Sequence, residues 1–303
     1  SRDEAKQHEL RLRWGRLGAA TDDAIWRDSS RRVQFRVGDI RDPEAIGAAA
    51  EGADTIIHAA ALKQVPTCEY FPEEAVRTNV LGAENVVRAA RRARVATVIG
   101  VSTDKAVKPV NVMGMSKSLQ ERVLARANLD LPGCRFALVR YGNVLASRGS
   151  VVPLFLEQAA RGEPLTVTDP AMTRFLLAIE DAVDAVIRAV AHARRGETLV
   201  PMLPSACITD LARAIGGEAA EIRVTGTRPG EKLHEILISE EERHRTRRRG
   251  QDLFVGPILP ELREDAADGD PPPFNSEYSS ADGTVDAAEA RRILDAAGLL
   301  RAG

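Results

Sequence analysis

Short apolar runs alternate with longer amphipathic stretches along most of this chain. Residues 55–58, 96–101, 135–140 and 198–200 are apolar runs too short for helices, and they read as strands. Val33, Phe35 and Val37 alternate with Gln34 and Arg36, which predicts a further strand over 33–37. Between these runs, 2–14, 43–51, 73–92, 114–127 and 179–193 read as helices. In the last of them Ile179, Val183, Val186, Ile187 and Val190 fall on one face. Strands that are apolar throughout are buried on both sides. Strands separated by helices predict an α/β fold, a doubly wound parallel sheet covered on both faces.

Ligands of such sheets lie beyond the carboxyl ends of the strands. The polar punctuation of the chain falls there, at Gly38-Asp39, at 58–63, at 102–105 and at 140–143. Past Asn143 the texture changes to shorter elements rich in Gly, Pro, Thr and Arg. Residues 1–143 with 178–202 therefore read as one domain, and 144–177 with 203–238 as a smaller substrate-binding lobe. Residues 239–303 read as a charged C-terminal extension, and the arginine run at 247–249 within it as a solvated linker. A dinucleotide-binding sheet also needs a G-x-G-x-x-G turn after its first strand. Gly15 and Gly18 follow no strand, so the first strand and its turn are expected upstream of Ser1. Without that turn, residues 1–303 alone are expected to bind a dinucleotide weakly.

Composition narrows the class. The net charge is -2, which does not suggest a nucleic-acid binder. The three cysteines, Cys68, Cys134 and Cys207, have neither metal-site nor disulfide spacing, and they favour a reducing, cytoplasmic setting with no bound metal. No apolar run approaches the roughly 20 residues of a membrane span. A membrane anchor upstream of residue 1 stays open.

The stretch 100–117, GVSTDKAVKPVNVMGMSK, concentrates the candidate chemistry. A hydroxyl (Thr103), a carboxylate (Asp104) and an amine (Lys105) stand at the end of a buried strand, and a second amine (Lys117) follows on a helix. With it, in order, occur TIIHAAALKQVPTCEYFPEEAVRTNVLGAENVV, VRYGNVLASRGSVVPLF, TVTDPAMTRF and TRPGEKLHE. Together these resemble the extended short-chain dehydrogenase/reductases, in particular the UDP-N-acetylglucosamine 4,6-dehydratase and polysaccharide-biosynthesis branch. The resemblance implies a Rossmann-type sheet, a nicotinamide dinucleotide and a UDP-sugar substrate. It also implies a homo-oligomer joined through helices 73–92 and 114–127.

The resemblance also implies roles. Ser1, Arg2 and Lys6 end the second strand, where a basic residue favours NADP over NAD. Asp39 and Ile40 flank the adenine, although Asp39 also reads as a turn residue or cap. Ala59, Ala60 and Ala61 pass beneath the cofactor, and Tyr141 stands beside it. Lys63 meets a phosphate or a hydroxyl. Asn79 holds either backbone geometry or a cofactor group. Asn143, Arg148, Ser150, Thr173, Arg174, Arg228 and Glu231 serve the sugar, its diphosphate and its uridine, arginine being the natural diphosphate partner.

Dehydration at C6 of a hexose is difficult because the C5 proton is not acidic until C4 is a ketone. Asp104 is then implied as the general acid and Lys105 as the base, with a lowered pKa produced by burial. Thr103 bonds the C4 oxygen, and Lys117 serves the nicotinamide ribose. Met113 departs from the wider family, which has Tyr four residues before the Lys. A thioether has no proton to exchange. Three readings follow: a pseudoenzyme, a substitute proton acceptor among Asp104, Lys105 or a relay to Lys117, or a different reaction. The reading kept is retained activity, with Met113 against the nicotinamide or the sugar ring. The expected product is a 4-keto-6-deoxy sugar for surface polysaccharide. A nucleotide-sugar epimerase and a catalytically impaired binding protein are the alternatives.

Overall fold

The computed structural model describes residues 3–15, 33–147, 149–263 and 268–300. Its main sheet is Rossmann-type, with strands β1 (Thr55–His58), β2 (Thr97–Thr103), β3 (Arg135–Tyr141), β4 (Thr198–Pro201), β5 (Thr246–Arg249) and β6 (Asp252–Val255). They lie in the order β1-β2-β3-β4-β6-β5. The first four run parallel, with Thr97 opposite Arg135 and Thr103 opposite Tyr141. β6 and β5 close the sheet antiparallel.

The period of two along each strand sorts side chains between two cores. Val98, Phe136 and Leu138 pack with Val86, Val87, Ala90 and Leu124, from the helices Gly82–Ala93 and Val112–Asp130. Ile99, Ala137 and Val139 pack on the other face with Ala185 and Ala189 of the helix Ile179–His192. The two-sided burial read from the apolar runs holds for β2, β3 and β4, whereas β1 leaves Thr55 and Ile57 exposed.

The smaller lobe has its own core, where Phe155, Leu165, Met172 and Leu211 meet Ala290 and Leu294 of the helix Ala287–Ala296. The stretch from Ser239 is therefore no trailing extension. It supplies β5 and β6 to the main sheet and a helix to the lobe. The arginine run forms β5, the last strand of this sheet, and the Arg248 backbone exchanges two further hydrogen bonds with Asp270 on its outer side. Arg249 lies 3.6 Å over the Phe254 ring and pairs with Glu197. Composition reads such a run as solvated linker, because a ladder partner is invisible in the local sequence.

Two more expectations change. Residues 33–37 have no ladder among the described residues, although Val33 and Phe35 are half-buried and Gln34 and Arg36 exposed. Val37 is exposed as well, so the alternation does not carry through 37, and a strand exists only through its partner. The helix read over 73–92 is interrupted by a π-helical segment, Val76–Leu81, between Pro72–Ala75 and Gly82–Ala93. No helix among the described residues is long and apolar enough to cross a membrane.

Candidate active site

β2 ends where Asp104–Ala106 turns into one 3-10 turn, with the Thr103 hydroxyl accepting from the Lys105 backbone N–H at 3.4 Å. That turn buries Asp104 completely. Its Oδ1 accepts from Thr103 Oγ1 at 2.7 Å and from Lys105 Nζ at 3.0 Å. Its Oδ2 finds no hydrogen-bond partner among the described residues.

Lys105 is held from several directions. Its Nζ donates to Asn143 Oδ1 at 2.9 Å and lies 3.4 Å from Glu235 Oε1. Glu235 is buried, its Oε2 is also without a partner among the described residues, and Arg174 Nε stands 3.9 Å from its Oε1. Burial alone would push the Lys105 amine down, but Asp104 and Glu235 outweigh it and hold the pKa above the ordinary lysine value. The lowered pKa expected for a base is thus not what the resting site has. The physical reason is the pair of carboxylates, Asp104 first and Glu235 second.

The next helix, Val112–Asp130, starts at Asn111, whose side chain accepts from the Gly114 N–H at 2.8 Å and donates to the Gly230 carbonyl at 2.7 Å. Lys117 points back under β2. Its Nζ donates to the Val101 carbonyl at 2.6 Å and to Gln120 Oε1 at 2.7 Å. Burial pushes this amine down to about 8, against a smaller opposing pull from Glu121. His58, ending β1, is buried with no partner for Nε2 among the described residues. Burial, then the charge of Lys117, pushes it down to about 3, so it is neutral. Tyr141 pairs across the ladder with Thr103, and burial raises its phenol.

Met113 is buried in an apolar cluster with Cys68 and Ala75, against Leu62, Val65 and Val112. It is packed into protein rather than offered to a ring at the strand ends. Asn79, buried in the π-helical segment, exchanges two hydrogen bonds with the Leu62 backbone and donates to Ser116 Oγ. Of its two readings, the backbone one is what these bonds perform. It shapes the segment Ala59–Ala61, where Ala59 and Ala60 are exposed. Lys63 is exposed just beyond.

The other candidates lie further out or are engaged. Ser1, Arg2 and Arg148 fall outside the described residues. Lys6 is exposed in the helix Glu4–Gly15. Asp39 is clasped by Arg41, which also pairs with Glu74 at 2.6 Å. The Ile40 carbonyl accepts from Asn85. Ser150 stands at the N-cap of Val151–Ala160, with its hydroxyl buried and without a partner among the described residues. Thr173 is buried, its hydroxyl bonded to His234 Nδ1 at 2.9 Å and Ser280 Oγ at 2.7 Å, which makes it a staple within the lobe. Glu231 accepts from the Arg228 backbone N–H at 3.2 Å. The structure thus gathers Thr103, Asp104, Lys105, Asn143, Arg174 and Tyr141 at one end of the sheet.

Glu235 was missing from the sequence reading. It ends the quoted motif TRPGEKLHE, and nothing local distinguishes it from a surface carboxylate. Lys232, whose Nζ donates to the Val107 carbonyl at 2.6 Å, was missed for the same reason.

Comparison with known proteins places the chain in a family. A family model described as "Polysaccharide biosynthesis protein" matches residues 1–256. A UDP-glucose 4-epimerase of Rickettsia prowazekii is 47% identical over 247 residues, 80% of this chain and 68% of that protein. The X-ray structure of Pen from Bacillus thuringiensis superposes with a TM-score of 0.83 at 31% identity, covering 97% of this chain and 88% of Pen. DesIV, a dTDP-glucose 4,6-dehydratase from Streptomyces venezuelae with NAD and TYD bound, shares the fold at a TM-score of 0.62 and 22% identity. That match covers 76% of this chain and 82% of DesIV.

Proposed function

Because this chain belongs to the polysaccharide biosynthesis protein family, we propose that it catalyses 4,6-dehydration of a UDP-N-acetylhexosamine, with UDP-GlcNAc as the substrate and NADP as the favoured cofactor. One observation carries the reading. Beyond the groups that serve C4, the site holds a buried acid/base pair, Asp104 with Lys105, closed by Asn143 and Glu235. Epimerisation at C4 needs no proton transfer at C5 or C6, and dehydration needs both.

The strand ends fit the nicotinamide half of a dinucleotide. Ala59 and Ala60 present a ledge with no side chain past Cβ, and Lys117 brings an amine beneath Val101. When bound, the nicotinamide supplies the hydride acceptor that makes C4 a ketone and later returns the hydride to C6. The Thr103 hydroxyl, donating to Asp104 Oδ1, offers a route by which the C4 hydroxyl proton reaches that carboxylate without a phenol at position 113. Protonated Asp104 then gives that proton to the departing C6 hydroxyl, and water leaves. It also no longer raises the pKa of Lys105, so the ammonium can release its own proton to solvent and, as the free amine, take the proton from C5. Arg174 and Arg228 suit a diphosphate. Exposed Leu81, Met115 and Leu119 support a homo-oligomer through the helices that carry them.

The epimerase reading has the name of the 47%-identical Rickettsia protein in its favour. Incubation with UDP-GlcNAc and NADP or NAD in deuterated water separates the two. A product lighter by one water, with deuterium at C5, is expected. A product of unchanged mass, epimeric at C4, would sink the dehydratase reading.

A further inference from the structure

Lys105 carries two carboxylate neighbours from distant parts of the chain. Asp104 is its own neighbour on the turn, whereas Glu235 arrives 130 residues later, at the entry to the strand Ile236–Ile238. Glu235 is fixed there by its backbone. Its N–H donates to Ser280 Oγ at 2.9 Å, and its carbonyl accepts from the Ser280 N–H at 2.8 Å.

A buried carboxylate with one oxygen lacking a hydrogen-bond partner among the described residues is costly to keep for folding alone. Free energy is recovered through the cations it faces, Lys105 at 3.4 Å, Arg174 at 3.9 Å and, more weakly, Lys232. In a site this enclosed the attraction is weakly screened. The charged groups around Lys105 are Asp104 on its own turn, Glu235, Arg174 behind Glu235, and Lys232 alongside. The carboxylates favour the ammonium, and the two cations oppose it.

We propose that Glu235 is a positioning residue for Lys105: from the small lobe it fixes the ammonium beside Asp104 and sets the pH at which Lys105 exchanges its proton. Docking of the lobe thereby governs the protonation of the turn at the end of β2. The kinetic consequence rests on the dehydratase reading, but the titration does not.

Glu235→Gln keeps the shape and removes the charge. The Lys105 amine is followed by 15N NMR of lysine-labelled protein, with Lys105→Arg to assign the signal. In Glu235→Gln its titration is expected to move down by about one pH unit or more. The Lys105 limb of the pH profile of kcat for water loss moves the same way, with the change in kcat rather than KM. Glu235→Asp returns the limb towards the wild type. Arg174→Gln removes an opposing cation and moves the titration up, an opposite sign that keeps the test alive if Glu235→Gln does not fold. A Lys105 titration that stays put in whichever of these variants folds overturns the proposal. A shifted titration without any dehydrated product upholds it and sinks the dehydratase reading. Product without the shift does the reverse.

Discussion

Gly114 lies so close to Lys105 that a Cβ on the glycine would come 2.2 Å from the Lys105 carbonyl oxygen. The first turn of the helix Val112–Asp130 therefore rests directly on the turn that presents Asp104 and Lys105. Because the obstacle is backbone, it cannot swing aside. Gly114→Ala is expected to cost about 1–3 kcal/mol, as overpacking does. It should also lower turnover by displacing Lys105. Thermal unfolding and kcat check both parts, and wild-type values in each would refute the contact.

Met113 fills an apolar cluster with Cys68 and Ala75. Met113→Ala should cost about 2–5 kcal/mol in a denaturant titration, the cost of a buried cavity. Met113→Tyr brings a phenol into the same apolar packing. If both variants turned over substrate at the wild-type rate, the side chain would have no catalytic part and only the packing role would stand.

Lys117 gives a pH signature. Its folded pKa is about 8 against an ordinary 10.5. Between these values the unfolded chain binds more protons, so stability rises with pH there. The gain is about 3 kcal/mol for a shift of this size. Lys117→Met should abolish that rise between pH 8 and 10 in urea unfolding, and should also abolish turnover. An unchanged slope would show that Lys117 is not the titrating group.

The opposite limb belongs to Glu242. Burial would raise its carboxyl, but Arg140, at 2.8 Å, and then Arg245 bring it down to about 2. Its stabilisation is full above the ordinary carboxylate value of 4.5 and is lost as pH falls towards 2, about 3 kcal/mol in all. Glu242→Gln should flatten unfolding against pH in that window. It should also cost about 3–5 kcal/mol at neutral pH, by leaving buried Arg140 with Glu121 as its remaining carboxylate. A neutral-pH midpoint unmoved by the substitution would contradict the pairing.

Asn79 tests the ledge beneath the dinucleotide. Asn79→Ala leaves the half-buried Leu62 N–H without its side-chain acceptor, at about 1–3 kcal/mol, and leaves the Leu62 carbonyl with the weak Cys68 thiol donor at 3.8 Å. Dinucleotide binding should weaken more than substrate binding, which isothermal titration of each ligand measures.

Much of this protein was legible in its residues. Apolar runs such as 135–140 are buried on both faces because a period of two sends Phe136 and Ala137 to opposite cores. Thr103, Asp104 and Lys105 share a site because they are adjacent at a strand end, and Lys117 follows one helix later. Pattern and proximity suffice for such features. Long-range pairing is different, because no local property of a residue encodes its partner. The arginine run at 247–249 is a strand only because β6 lies beside it, and 33–37 is not one because no ladder partner is present among the described residues. Met113 stands at the position of the family's Tyr, and only the tertiary structure shows that it is buried with Cys68 and Ala75. Lys105 lies between the two cases. Its neighbour Asp104, the larger cause of its raised pKa, is legible in the sequence, but the second carboxylate, Glu235 at 3.4 Å, comes only with the tertiary structure.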